Sequence, residues 1–179
     1  MERAKCRLKQ GMAVFLALLM VVTYIPELSV IVQAAETTVT EISSSEEFAA
    51  MQAGGNYKLT KDITVTSPYS GNFSGTFDGD GHKVTLNIDD TSSNQALFKA
   101  VTNSGTVKNV ITEGFVKTGS YAAGIAAVNE GTIENCLNEA EISATGDYAA
   151  GIVANMTAGT VKSCGNTGDI SGTGSSSRY

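Results

Sequence analysis

One short stretch, Asp78-Gly79-Asp80-Gly81-His82, combines two carboxylates with the only histidine of the chain. His82 would act as a general base only beside a positioned nucleophile, and the chain has no Gly-x-Ser-x-Gly nucleophile motif. Asp78 and Asp80 would serve as a glycosidase pair only if a sugar cleft held them about 5 to 10 Å apart. Asp and Gly also tolerate the left-handed backbone of a reversal, so the stretch is interpreted chiefly as a tight turn.

Four further acidic residues fall at related positions of neighbouring repeats. A column of carboxylates could hold Ca²⁺, which prefers six to eight oxygen ligands. The same column would equally serve as a solvated acidic face, and the sequence favours this second interpretation. The four residues are Glu113, Glu139, Glu141 and Asp169.

Two cysteines and two tyrosines also occupy equivalent repeat positions. Cys136 and Cys164 would lie about 4.8 Å apart on adjacent strands, a spacing that permits a disulfide, although a stack of buried thiols is the favoured prediction. Two cysteines are too few to bind zinc. Tyr121 and Tyr148 could grip carbohydrate as an exposed pair, but packing at a corner is favoured.

The elements that position these residues follow from an internal repeat. The segment Tyr121–Ile125 returns 27 residues later, and Gly131–Cys136 returns 28 residues later as Gly159–Cys164. The repeats contain short β-branched stretches separated by Gly, Asn, Ser and Thr, with no ten-residue helical pattern. A unit of this kind must stack on a neighbour to bury its apolar face, which predicts a solenoid of parallel strands.

Aligned repeats predict ladders in which equivalent residues of successive coils contact each other. Outside the core, Lys108, Glu134 and Lys162 should form a column of alternating charge, and Asn138 and Asn166 an amide ladder. Gly105, Gly131 and Gly159 should mark turns. The predicted inward ladders are Val107, Ile133 and Val161; Val110, Cys136 and Cys164; Val116, Ile142 and Ile170; and Ile125 with Ile152.

A short helix is predicted before the coils. Ser43–Ser45 can cap it, Glu46 and Glu47 follow, Phe48 and Met51 share one side, and Gly54-Gly55 ends it. We expect this helix to cover the exposed edge of the first coil.

The segments NYKLTKDI, GTFDGDGHKV, AAGIAAVNEGTIENC and AAGIVANMTAGTVKSC carry a family resemblance. From about Ile42 to Gly174 the chain resembles bacterial cell-surface right-handed parallel β-helix proteins with GLUG-type repeats, a pattern also found in non-catalytic regions of large secreted peptidases. The resemblance implies a surface stalk or adhesive module and supplies no catalytic residues. Because such proteins run through more coils, it also implies that the Ser-rich tail 175–179 is truncated.

The first residues have the composition of an export signal. Four cationic side chains precede the uncharged run 11–25, and Val32 and Ala34 supply the small residues that a signal peptidase requires. Cleavage is expected after Ala34. The alternative, an uncleaved anchor, is disfavoured because the uncharged run is shorter than the roughly 20 residues of a spanning helix.

The predicted organisation is therefore a signal peptide at 1–34, a linker and capping helix at 35–55, parallel β-helix coils at 56–174 and the tail at 175–179. Residues 35–179 carry eight basic and sixteen acidic side chains, a net charge of −8, which argues against nucleic acid as a partner.

We predict a secreted or cell-surface structural or adhesive β-solenoid, not an enzyme, with no catalytic, cofactor or metal residues. After signal cleavage it would have no membrane association. It would be a monomer or part of a longer chain, with host or envelope glycans or proteins as partners. The alternatives are a carbohydrate-active or carbohydrate-binding β-helix and the non-catalytic region of a larger secreted peptidase.

Overall fold

The computed structural model describes residues 38–174, so the predicted signal peptide, the alternative membrane anchor and the tail 175–179 lie outside the described residues. The described part of the chain is all-β, with 53% of its residues in strands and 4% in helix, and its strands stack in parallel as a β-solenoid of about four turns. The predicted parallel β-helix is confirmed. Among the described residues no helix is long and apolar enough to cross a membrane.

Nineteen strands and one helix make up the described part of the chain. The helix is α1, Ser45–Ala49. The strands are β1 Val39–Ile42, β2 Asn56–Leu59, β3 Ile63–Val65, β4 Tyr69–Phe73, β5 Thr76–Asp78, β6 Lys83–Asp90, β7 Phe98–Val101, β8 Thr106–Lys108, β9 Ile111–Thr118, β10 Ala122–Ala123, β11 Ala126–Asn129, β12 Thr132–Glu134, β13 Leu137–Asn138, β14 Glu141–Ala144, β15 Ala149–Ala150, β16 Val153–Met156, β17 Thr160–Lys162, β18 Gly165–Asn166 and β19 Ile170–Gly172.

These strands form four parallel sheets along the solenoid. Sheet 1 has the order β1-β2-β5-β8-β12-β17, and sheet 4 the order β4-β7-β11-β16. Sheet 2 begins with β3, β6 and β9; β13 and β14 then pair with β9, and β18 and β19 lie outermost. Sheet 3 is the short pair β10-β15. Strand β1 lies within the stretch expected to be linker and adds a strand to sheet 1.

The predicted inward ladders are present. Val107 pairs in register with Ile133 and Ile133 with Val161, while Val116, Ile142 and Ile170 form a second ladder. The earlier members are fully buried, and the outermost members Val161 and Ile170 are partly buried. Burial therefore decreases toward the last coil of the described region.

Two corners of the solenoid require a left-handed backbone. Asn109, Asn135 and Ser163 have φ of 55°, 52° and 52° at the corner between sheets 1 and 2. Asn tolerates this region better than most residues, because its short side chain hydrogen-bonds locally. At the corner before sheet 3, Asn94, Tyr121 and Tyr148 have φ of 64°, 55° and 67°. The recurring positions keep successive coils superimposed.

The predicted helix is shorter than the stretch from which it was inferred. The Ser44 hydroxyl accepts a hydrogen bond from the Glu47 N–H at 3.3 Å, and the Glu47 carboxylate accepts one from the Ser43 N–H at 2.7 Å. Phe48 is 2% exposed, with ring centroids 5.8 Å from those of Phe77 and Phe98. That α1 serves as a cap stays a prediction.

Candidate functional site

The largest gathering of chemically capable side chains lies on the outer face of sheet 2. The Lys83 ammonium donates to Glu113 at 2.8 Å and to Glu139 at 2.9 Å, so one cation joins carboxylates of two successive coils. The Thr85 hydroxyl donates to the other Glu113 oxygen at 3.0 Å. Together with Asp62 and His82, these residues form what we call the Lys83 cluster.

The hydrogen bonds within the cluster fix its protonation. The hydrogen bond from Lys83, and to a lesser extent that from Thr85, holds the pKa of Glu113 below its usual range. The hydrogen bonds to Glu113 and Glu139 raise the pKa of Lys83. At neutral pH Glu113 is therefore a carboxylate and Lys83 an ammonium, which suits neither to give or take a proton.

His82 lies at the margin of the cluster. Its Nδ1 is 3.1 Å from Asp62 Oδ1, and the Lys83 N–H donates to the same oxygen at 2.9 Å. The hydrogen bond from the Lys83 backbone N–H, and to a lesser extent that with the His82 ring, lowers the pKa of Asp62. Among residues 38–174, the hydrogen-bond partner of the His82 ring is the Asp62 carboxylate and not a hydroxyl or thiol.

The four carboxylates predicted as one column divide into two pairs. Glu113 and Glu139 meet through Lys83. Glu141 pairs in register with Phe115, and the Ile142 N–H after it donates to the Asp169 carbonyl at 2.8 Å. Residues 38–174 contain no group of three or more His, Cys, Asp or Glu side chains arranged to hold a metal ion. Lys83 thus occupies two of the four carboxylates proposed to bind calcium, those of Glu113 and Glu139.

Asp78 and Asp80 face different partners, as expected of turn residues. Asp78 Oδ1 accepts from the Asp80 N–H at 2.9 Å and from Asn109 Nδ2 at 2.8 Å, and its Oδ2 lies 3.3 Å from Lys108. Burial opposes ionisation of Asp78, yet the hydrogen bonds from Asn109, the Asp80 N–H and Lys108 outweigh it and lower the pKa of that carboxyl. Asp80 pairs with Lys58 at 2.9 Å. The two carboxylates do not converge on a common cleft.

The predicted charge column extends through every strand of sheet 1, and we call it the charge ladder. The observed register places an acid beside a base at each of its five steps. Ion pairs at 3.3 Å between Lys108 and Asp78 and at 2.6 Å between Lys162 and Glu134 lie within it. In strand order, the ladder is Glu41, Lys58, Asp78, Lys108, Glu134 and Lys162.

The predicted amide ladder is also present. Asn138 Nδ2 donates to Asn166 Oδ1 at 2.7 Å, and the Thr112 hydroxyl donates to Asn138 Oδ1 at 2.8 Å. Asn138 is fully buried. Because an unpaired buried amide costs free energy, each of these bonds helps to fix the register of neighbouring coils.

Cys136 and Cys164 are free thiols in the structure, which agrees with the favoured prediction of a thiol stack. Cys136 is 2% exposed, whereas Cys164 is partly exposed. Burial raises the pKa of the Cys136 thiol to about 12. Cys136 is therefore an unreactive core residue.

Tyr121 and Tyr148 form a stacked pair at their corner, with ring centroids 4.6 Å apart and planes 16° apart. Both are partly buried. Each ring covers one face of the other, and stacked aromatic pairs of this kind contribute to packing beyond the area that they bury. The pair is therefore better suited to packing between coils, the interpretation favoured from the sequence.

A shallow groove of about 470 Å³ runs along the corner between sheets 1 and 2. Its lining includes the amides of Asn109 and Asn135, whose Oδ1 and Nδ2 are 3.4 Å apart, the aliphatic side chains of Ile111 and Leu137, and Asp80. We call this feature the corner groove. Its mixture of amides and aliphatic surface was not predicted from the sequence, although the recurring Asn109 and Asn135 were visible there.

Three cluster residues were not predicted from the sequence: Asp62, Lys83 and Thr85. All three lie before the regular repeats, where strand pairing joins residues 20 to 30 positions apart instead of 26 to 28. No fixed period places them beside Glu113 or His82. Comparison with protein-family models, curated proteins and solved structures finds no match to this chain.

Proposed function

We propose that this chain is an exported, non-catalytic β-solenoid that serves as a structural or adhesive module at a cell surface. The observation that carries the proposal is the use made of its reactive side chains. Asp78 and Glu113 each bind a side chain of the adjacent coil, and Glu139 binds Lys83 two coils away, so contacts within the stack already occupy the groups able to do chemistry.

Electrostatics support the same proposal. Acidic groups exceed basic groups by eight in residues 35–179, which favours solubility and disfavours phosphate-bearing partners. The resemblance to cell-surface β-helix proteins and the signal-like composition of residues 1–34 point to the outside of the cell.

Absence of catalysis is tested with a panel of neutral and acidic polysaccharides, using release of reducing ends or unsaturated products as the readout. We expect the wild-type protein and the Glu113→Gln variant to give the same background signal. Product that appears with the wild type and disappears with Glu113→Gln or Asp78→Asn would overturn the non-catalytic assignment in favour of the carbohydrate-active alternative.

Export is tested by expressing the whole coding sequence with a C-terminal tag and measuring the intact mass of the recovered protein. We expect cleavage after Ala34 and a protein that begins at Ala35. Ala34→Tyr should block processing, because a signal peptidase requires a small residue there, whereas Gln33→Tyr serves as the matched control. Recovery of an unprocessed wild-type chain would contradict export by this route.

For an adhesive role, the corner groove is the best-suited binding surface. Its amides can hydrogen-bond hydroxyl groups, and Ile111 and Leu137 offer apolar surface to the CH faces of a sugar. We expect binding on a glycan array to be lost in Asn135→Ala and kept in Asn155→Ala, an asparagine on β16 outside the groove. Equal loss in both variants would exclude the groove as the binding surface.

A further inference from the structure

We propose that the two ends of the solenoid bind each other, so that copies of the protein associate head to tail with β1 of one copy adding to β17 of the next. The partner is a second copy of this chain. The inference concerns self-association, goes beyond the proposed function and does not depend on it.

Sheet 1 has an unpaired backbone edge at each end of the described solenoid. Among the described residues, β1 and β17 are the outermost strands of sheet 1, and each pairs with a neighbour along one edge only. The other edge of each strand presents peptide N–H and C=O groups that can pair with an added strand. The two edges face opposite directions along the stack, as head-to-tail addition requires.

The two ends of the charge ladder carry opposite charges. The charge ladder begins with an acid, Glu41, and ends with a base, Lys162. If β1 of a second copy adds to β17 in the register found throughout sheet 1, Glu41 lies beside Lys162 and the alternation continues without a fault. The Lys162 side chain is 58% exposed, so it remains accessible to such a partner.

Charge also distinguishes this arrangement from a tail-to-tail dimer. An antiparallel pairing of two β17 strands would place Val161 opposite its own copy and Lys162 opposite Thr160. That pairing supplies no acid for Lys162. Only the head-to-tail arrangement uses the complementarity of the two ends.

Each end of the stack also exposes a large apolar side chain. In the part of the chain that the structure describes, the two large hydrophobic side chains that are exposed are Val39, at 57%, and Met156, at 50%. Val39 lies on β1 and Met156 on β16, the outermost strand of sheet 4, so the two residues mark opposite ends of the stack. Pairing of β1 with β17 of a second copy would place Val39 beside Thr160 and cover part of its exposed side chain.

The geometry of such contacts determines the product. A head-to-tail contact uses two different surfaces and leaves one of each free, so it extends into filaments unless it closes into a ring. The added pairing joins β1, of four residues, to β17, of three residues, so the hydrogen-bonded interface is small. Small interfaces of this kind are weak, with dissociation constants of roughly micromolar or above.

The test begins with the full coding sequence, expressed in an export-competent host and purified in the form that the host leaves, with its N-terminus established by intact mass. Sedimentation velocity is then measured from about 1 µM to about 1 mM protein, the range of weak association. We expect the average mass to rise beyond that of a dimer with concentration and to fall as salt is added.

Charge reversal at each end identifies the contact. Glu41→Lys and Lys162→Glu should each shift association to roughly tenfold higher concentration or more, because each places like charges at the contact. An equimolar mixture of the two variants should regain association, since the new cation at position 41 of one variant then meets the new anion at position 162 of the other. Lys99→Glu on β7, outside the ladder, controls for net charge and should associate like the wild type.

The mixture also separates the proposal from misfolding, because an unfolded variant cannot be rescued by a second one. A wild-type protein that stays monomeric throughout would overturn the proposal. A wild-type dimer that does not grow further, and that Glu41→Lys leaves unchanged, would also overturn the proposal, because it would indicate tail-to-tail pairing. Failure of the mixture to associate would equally overturn it.

Discussion

The first and last coils of this solenoid bury their apolar residues by different means. Residues 39–101 place several large rings in the core, with the centroids of Phe73 and Phe98 only 5.0 Å apart. Their strand pairings join residues 17, 20 and 30 positions apart. Residues 105–172 instead repeat short aliphatic ladders at separations of 26 and 28.

The two ends differ in the same way. Phe48 from α1 fills the core of the first coils and is 2% exposed, whereas Ile152, Val161 and Ile170 in the last coils are only partly buried. Aromatic volume compensates for irregular spacing at one end, and regular spacing lets small side chains suffice at the other. Because the first coils bury their side chains more completely, we expect stability to be concentrated there.

The largest effect is expected from Phe48→Ala. It removes a ring that contacts Tyr69, Phe77 and Phe98, and full truncation of a buried Phe costs about 3 to 5 kcal/mol. Phe115→Ala is the matched control, since Phe115 lies on the outer face of β9 and is partly exposed. Urea denaturation followed by circular dichroism measures both. A loss for Phe48→Ala no greater than for Phe115→Ala would contradict the role given to the aromatic core.

A matched pair within one ladder comes next. Ile142 is fully buried and Ile170, its neighbour one coil along, is partly buried. We expect Ile142→Ala to lower the free energy of unfolding by about 2 to 4 kcal/mol and Ile170→Ala by about 1 kcal/mol or less. Equal losses in the same denaturation experiment would show that the last coil is as well packed as the one before it.

Glycine substitutions test the close stacking of coils. A Cβ on Gly131 would clash with the carbonyl oxygens of Gly105 and Thr102, so Gly131→Ala should cost about 2 to 3 kcal/mol. Gly81 has a φ of +81° with open space around it, so Gly81→Ala should cost about 1 kcal/mol from backbone strain alone. Thermal melts of the two variants compare the effects. The reverse order would mean that Gly131 is not the tighter position.

The two thiols should differ in reactivity. Iodoacetamide at pH 8 should modify the partly exposed Cys164 in the folded protein and Cys136 only after denaturation, which peptide mass spectrometry can distinguish. Because burial raises the Cys136 pKa to about 12, the folded state holds this proton more tightly than the unfolded state. Stability is therefore present in full below the unfolded thiol's pKa of about 8.5 and is lost as pH rises toward about 12.

A Cys136→Ser variant lacks this thiol and should show a smaller part of the alkaline loss. Rapid modification of Cys136 at pH 8 in the folded protein would contradict its burial.

The smallest effect is expected at the Lys83 cluster. The side chains of Lys83, Glu113 and Glu139 are 40%, 38% and 37% exposed, so solvent screens their ion pairs. Lys83→Met should lower the melting temperature slightly at low salt and not at high salt. Lys61→Met, at an exposed lysine without an ion pair, is the control. A large, salt-independent loss would show that the cluster is more than a surface network.

The regular repeats made most of the fold predictable from the sequence. Ladders such as Val116, Ile142 and Ile170, and the column through Lys108, Glu134 and Lys162, follow from equal spacing, because a fixed period determines which residues meet. The first coils could not be predicted in this way. Strand β1, the pairing of Asp62 with His82 and the place of Lys83 depend on coils of unequal length, for which no fixed period determines which residues meet.

Residue-resolved hydrogen exchange at low protein concentration tests most directly whether stability declines from the first coils to the last. Because the first coils are the best packed and the last coil is only partly buried, amide protection should be highest in β5, β6 and β7 and should decline stepwise through β9 and β14 to β17 and β19. Uniform protection along the chain, or the highest protection in the last coil, would contradict this account.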